Sequence, residues 1–340
     1  MKPRGSQAPR SLQQRGTSIR GPSIAIHGHF YQPPREDPWF GTVPLQPGAA
    51  PFHDWNEKIE KECYRPITAA RILDGEGEAR RTLNCLEFMS YNFGPTLLSW
   101  LEDEAPETYR AIVDADGRSR DRTGHGGALA MPFHHPILPL SDPRDLVTEV
   151  RWGIQDFRQR FGRDPEGMWL PEAAVDPISL DVLAEEGIRF TILAPHQVDP
   201  LPPGGRPGIY TTPSGARIVL VPYDGAHSHS VAFGDVLRDA EAWTDSLLGD
   251  LGEPESSPLR LLATDGETFG HHKVFGEMAL AATLERLEHS TEVELVNLGQ
   301  YLASTPPTSE VDLISPSSWS CAHGVGRWQE DCGCKLDGSK

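Results

Sequence analysis

DPRDLVTEVRWGIQDFRQRFGRDPEGMWLPEAAVDPISLDVLAEEGIRFTILAP, residues 142–195, runs twice through one cycle of helix and strand. Asp142 can cap a helix, Pro143 suits its first turn, and Leu146, Val150, Ile154, Phe157 and Phe161 recur every three or four residues. The apolar run 167–170 that follows has the length of a buried strand. Asp176 and Pro177 repeat the helix start, Gly187 stops that helix, and Phe190–Leu193 reads as the next strand.

Working outward, the same alternation continues in both directions. Further strands are expected at 24–30, 82–89, 128–131, 218–222 and 260–264, with 293–296 as an eighth or an accessory strand. Further helices are expected at 96–114, 235–248 and 275–287. Strands separated by helices imply parallel pairing and an α/β fold. Seven such units without a dinucleotide glycine fingerprint favour a barrel over a doubly wound sheet, and no internal repeat is visible. In a barrel, chemistry gathers at the carboxyl ends of the strands, where the loops converge on one mouth.

The bulk properties narrow the partners. The 340 residues carry 31 basic and 49 acidic side chains, a net charge of −18. That field repels nucleic acid and anionic membrane and leaves a neutral ligand such as a sugar unpenalised. No apolar run approaches the roughly 18 residues of a membrane helix. Residues 1–22 read as a disordered tail bearing Arg4, Arg10, Arg15 and Arg20 without the apolar stretch of a secretory signal, so a cytoplasmic protein is expected. Cys63 and Cys85 lie far from Cys321, Cys332 and Cys334, which is not the spacing of a secreted disulfide framework. The oligomeric state is not legible.

The residues that carry chemistry fall at the ends of expected strands. In HGHFYQPPRE, residues 27–36, His27 and His29 share one strand face and can bind a metal or hydrogen-bond a polar ligand. In MWLPEAAVD, residues 168–176, Glu172 is the first ionisable group after Trp169 and Leu170; its bland alternative is a glutamate facing a helix dipole. In LLATDGETFGHH, residues 261–272, Asp265, Glu267, His271 and His272 crowd one loop, although Asp-Gly alone is a common turn. Two carboxylates across a mouth suit a glycosidic bond: one protonates the departing oxygen, and the other attacks the anomeric carbon or activates water. A retaining enzyme needs them roughly 5–5.5 Å apart and an inverting one further.

FHDWN (52–56), Tyr91 with Asn92, HGGALAMPFHH (125–135) and PYDGAHSH (222–229) add polar and aromatic groups suited to a sugar cleft. Among these His125, His135, Trp55 and Asp224 are the preferred ligands, beside His27, His29, Gln32, Trp169, Glu267 and His271. In SSWSCAHGVGRWQEDCGC, residues 317–334, Cys321, His323, Cys332 and Cys334 can in principle hold zinc. The C-x-C spacing is tighter than usual, so buried thiols or a substrate loop are preferred there and no metal is assigned.

These motifs resemble glycoside hydrolase family 57. HGHFYQPPRE is similar to the family's histidine motif at the end of strand one, Glu172 in MWLPE to its nucleophile, and Asp265 in TDGETFGHH to its acid/base. The resemblance implies a distorted, TIM-like (β/α)7 barrel, retention of configuration, α-glucan substrates and no required metal or cofactor. The barrel is expected over 23–305. Residues 306–340, with the Cys/His cluster, are expected to begin a further region that this chain carries in part, since relatives with the SSWSCAHGV-x-RW segment continue beyond it. Two other readings stay open. One is a metal-dependent amidohydrolase or polysaccharide deacetylase using His27, His29 and Asp265. The other is a non-catalytic glycan-binding protein.

Overall fold

Strand one, Ser23–Phe30, is buried along its whole length, as a parallel strand covered on both faces must be. Its alternate residues enter two different cores. Ile24, Ile26 and Phe30 pack outward with residues of the surrounding helices. Ala25 packs inward with Leu129, Met131, Trp169, Ile192, Val221, Leu261 and Ala263, one or two residues from each of five other inner strands. His27 and His29 alternate in step with Ala25, so strand geometry alone carries them into this lumen.

The structure, a computed structural model, describes residue 19 and residues 21–249, 251 and 258–334. The tail expected over 1–22 lies outside the described residues apart from Ile19, Gly21 and Pro22. Strand one pairs in parallel with Ser90–Phe93 on one edge and with Leu259–Asp265 on the other. Parallel bridges continue the ring from Tyr91 to Ala128, from Ala130 to Met168 and from Gly167 to Phe190. Phe190–Leu193 then pairs in parallel with Arg217–Pro222. The ring closes where the Asp224 N–H donates to the Leu261 carbonyl at 2.7 Å. This is a distorted (β/α)7 barrel, its third and fourth strands (128–131 and 167–170) joined by single bridges rather than ladders.

The helix expected from Asp142 is present as Pro143–Phe161. The Asp142 carboxylate accepts from the Arg144 N–H, and Gly162 ends the helix at φ 65°. Gly153 lets this helix lie directly on the third strand, because a Cβ there would stand 2.0 Å from the Met131 carbonyl oxygen. The helix expected at 96–114 is two helices, Pro95–Glu104 and Pro106–Thr123. Pro106 lacks an N–H and turns Ala105 out of helical geometry (φ −138°, ψ 56°), which breaks the run.

Two expected strands need correction. Residues 82–89 are not the second barrel strand. Ala79–Leu83 forms an outer hairpin with Ala70–Leu73, Cys85–Phe88 is a 3-10 turn, and the barrel strand begins at Ser90. Asn84 causes the switch by accepting from the Leu86 N–H. The candidate eighth strand is the short Glu294–Leu295, which pairs with Ser23 and Ile24. Leu259–Asp265 already fills one edge of strand one over residues 23–29. Glu294–Leu295 therefore shares the other edge with Ser90–Phe93, ahead of it along the strand.

Part of the segment 306–340, expected to begin a further region, is tied to loops of the barrel. Asp312–Leu313 pairs antiparallel with Val198–Asp199, and Ser317 bridges to Val175. Buried Gln197 ties the layers together, donating from Nε2 to the Ala173 carbonyl (2.8 Å) and to Ser317 Oγ (3.0 Å). Among the described residues no helix is long and apolar enough to cross a membrane.

Candidate active site

His27 and His29 meet Asn92, which stands beside His29 in register on the neighbouring strand. One proton assignment links these groups and leaves only the buried His27 Nδ1 without a partner. His27 Nε2–H donates to Asn92 Oδ1 (3.2 Å), the Asn92 amide donates to His29 Nδ1 (3.0 Å), and His29 Nε2–H donates to His135 Nε2 (3.3 Å). Burial pushes His27 down to about 3 and His135 to about 4, and holds His29 well below the usual imidazole range. All three are neutral at neutral pH. His27 and His29 both stack on the Trp169 indole with centroids 5.0 Å away, and Tyr31 stacks on His135 at 3.8 Å.

Asn92→Leu leaves the buried nitrogens of His27 and His29 unpaired. The expected loss is about 1–3 kcal/mol of folding stability, measured as a lower midpoint in urea at an unchanged slope. An unchanged midpoint would mean that Asn92 does not organise these histidines.

Glu172 follows the fourth strand in a left-handed conformation, φ 58° and ψ 18°, and Ala173 after it has φ 45°. Non-glycine residues seldom occupy this region, and strain of this kind clusters at functional sites. The surroundings hold the geometry. The Glu172 carbonyl accepts from the Trp319 N–H (3.1 Å), and its Oε2 accepts from Trp319 Nε1 (3.2 Å) and Ser320 Oγ (2.8 Å). Two donors on one oxygen fix where the side chain points. Trp319 also packs edge-on against Trp169 at 5.0 Å.

Asp265 ends the seventh strand in register with His29. Its side chain meets solvent on the open side of the mouth while protein crowds it on the others. Loss of hydration and then the Glu172 charge raise it to about 6. The Glu172 charge acting on Asp265 puts the two carboxyl groups in one site.

The other expected ligands divide into three groups. His135 and Trp169 join His27 and His29 in the central cluster. Glu267 is buried below it, where Oε1 accepts from Tyr64 OH (2.6 Å) and the Tyr31 N–H (3.1 Å), and burial followed by the Asp265 charge raises it to about 8. It braces Tyr31 rather than facing the mouth. Gln32, Trp55 and His271 form a flanking group. Arg35 Nη2 donates to Gln32 (2.7 Å), His271 Nδ1 meets Glu62 (2.5 Å), and His271 lies edge-on to Trp55 at 6.2 Å.

His125 and Asp224 are not brought to the site. His125 precedes the third strand, so parallel topology puts it at the amino end of the barrel, against Glu166 at 2.9 Å. Asp224 caps the helix Gly225–Phe233 and is held by His227 Nδ1 (2.8 Å) and Arg260 Nε (3.2 Å). Trp319, Ser320 and Asn92 were absent from the preferred ligands, although their segments had been singled out.

The metal-dependent alternative is not favoured by this geometry. His27 and His29 lie flat on Trp169, and three of their four ring nitrogens meet Asn92 or His135, while His27 Nδ1 has no hydrogen-bond partner. Among the described residues they do not converge with Asp265 as a ligand group, whereas Cys321, His323, Cys332 and Cys334 do converge.

A parallel α/β barrel with stacked rings and two unlike carboxyl groups at the carboxyl end of its strands has its site where barrel enzymes place theirs. The chain belongs to glycosyl hydrolase family 57, whose profile matches residues 28–314. Alpha-amylase 1 of Dictyoglomus thermophilum is 26% identical over 238 residues, covering 67% of this chain and 33% of the relative. The 4-alpha-glucanotransferase of Thermococcus litoralis is 22% identical over 277 residues, covering 78% of this chain and 39% of the relative. The chain therefore spans about a third to two fifths of the length of these curated relatives. In fold it is similar to the GH57-type branching enzyme from Pyrococcus horikoshii, with a TM-score of 0.66 and 17% identity over 91% of this chain and 74% of that one.

Proposed function

We propose that this chain is a retaining enzyme acting on α-1,4-linked glucans. Glu172 attacks the anomeric carbon as the glycosidic bond breaks, and Asp265 gives its proton to the departing oxygen. Asp265, now ionised, then takes a proton from water or from a sugar hydroxyl, whose oxygen displaces Glu172. The observation that carries this reading is the meeting of two carboxyl groups at the barrel mouth, Glu172 held by Trp319 and Ser320, and Asp265 raised to about 6 by burial and then by the Glu172 charge. The relatives named for amylase and glucanotransferase activity support the substrate class. The half-buried rings of Tyr31, His135 and Trp319 are suited to pyranose rings.

Incubation with maltoheptaose tests it. Shorter oligosaccharides report hydrolysis, and a ladder that also contains longer ones reports transfer. The first-formed reducing end is α by NMR. A β-anomer would overturn retention, and saturable binding with no product would leave a glycan-binding protein.

A further inference from the structure

Residues 319–334 lie over the barrel mouth with little apolar packing of their own, Cys321 and Val325 being the buried hydrophobic residues there. Their one regular element is the three-residue turn Gly326–Trp328. A segment of this size needs a fastening beyond a hydrophobic core. We propose that Cys321, His323, Cys332 and Cys334 bind a structural Zn2+ that locks this segment, and with it Trp319 and Ser320, onto Glu172.

The four ligand atoms all lie within 4.8 Å of one another. A tetrahedral Zn2+ with bonds of about 2.3 Å to sulfur and about 2.0–2.1 Å to nitrogen puts neighbouring sulfurs about 3.8 Å apart, and sulfur and nitrogen about 3.6 Å apart. Cys321 Sγ and Cys332 Sγ are 3.7 Å apart, and Cys334 Sγ and His323 Nδ1 are 3.4 Å apart. Both separations match tetrahedral edges. The sulfur pair is far outside the roughly 2.05 Å of a disulfide. Three thiolates and an imidazole form a soft, closed donor set of the kind that selects Zn2+ over magnesium or calcium.

The backbone is shaped for the same purpose. Gly333, at φ 80°, turns the chain between Cys332 and Cys334, which accommodates the short C-x-C spacing. Gly326 passes between His323 and Cys332, where an added Cβ would stand 3.4 and 3.5 Å from their Cβ atoms. The N–H groups of His323 and Arg327 donate to the Cys321 sulfur, the outer hydrogen bonding that steadies a metal-bound thiolate. Burial does not account for the cluster, since Cys332 and Cys334 are only half-buried. Ser320 bonds Glu172 and its neighbour Cys321 is the first ligand, so the metal would stand one residue from the site.

Elemental analysis of the purified full chain is expected to find about one Zn2+ per molecule. Exchange with Co2+ is expected to give the visible bands of tetrahedral thiolate-bound cobalt. Cys332→Ser and Cys334→Ser each lose the metal and those bands, whereas Cys85→Ala, at the other end of the chain, retains both. Limited proteolysis of the wild-type chain gives a readout that does not depend on variant folding: chelation exposes cleavage within 319–334 while the barrel stays resistant. Substoichiometric metal after incubation with Zn2+ together with no cobalt spectrum would overturn the proposal, as would a Cys321–Cys332 disulfide. None of these measurements involves sugar, so a zinc-bearing chain without glycan turnover would sink the proposed activity and leave the metal site standing.

Discussion

Glu172→Gln is expected to lower turnover of maltooligosaccharides by on the order of 10⁴-fold while the barrel stays folded. The amide oxygen can still accept from Trp319 Nε1 and Ser320 Oγ, so the side chain keeps its place. What it loses is the ability to attack the anomeric carbon. Glu172→Ala separates attack from positioning. Azide entering the vacated space bonds to that carbon as the glucan leaves, giving a β-glycosyl azide and restoring part of the rate. Full activity in Glu172→Gln, or an azide product of α configuration, would remove Glu172 from the role of nucleophile.

Asp265→Asn is expected to cost about 10²–10⁴-fold on the same substrates, the range for a lost general acid. A nitrophenyl glycoside should behave differently, because its leaving group departs without a proton. The first step then stays fast, release of the glycosyl-enzyme becomes slow, and a burst of nitrophenol precedes the steady rate. The wild-type pH profile carries the same assignment. Burial and the Glu172 charge raise Asp265 to about 6, so the acid is intact below that pH and is lost as pH rises through it. An alkaline limb near 6 is therefore expected in the wild type and absent in Asp265→Asn. The same limb in both would sink the assignment.

The parts of this site that were legible in the sequence share a local signature. Glu172 and Asp265 are ionisable groups at the ends of buried apolar runs, and His27 and His29 alternate with residues that must face a core. His125 was misplaced although the information to exclude it was present. It stands before its strand, and in a parallel barrel the residues before and after a strand occupy opposite ends. Asp224 follows its strand, but Asp-Gly-Ala is also a helix cap, and its hydrogen bond to the His227 N–H shows that the cap prevailed. The run LNCLEFM hid a turn because apolar character continues through it, and only Asn84 marks the break. Trp319 and Ser320 had no local signal: their relation to Glu172 spans about 150 residues and exists only after folding.

The pairing of strand one with strand seven has a further consequence, in the time domain. Ser23 finds Leu259 only after some 236 intervening positions have been synthesised, a delay of about 10–50 s at ribosomal rates of 5–20 residues per second. Until then one edge of a strand buried along its whole length has no backbone partner on that side. Such an edge invites pairing with other chains, so the nascent protein depends during that interval on its own length of unfinished barrel, or on a chaperone, to keep the strand covered.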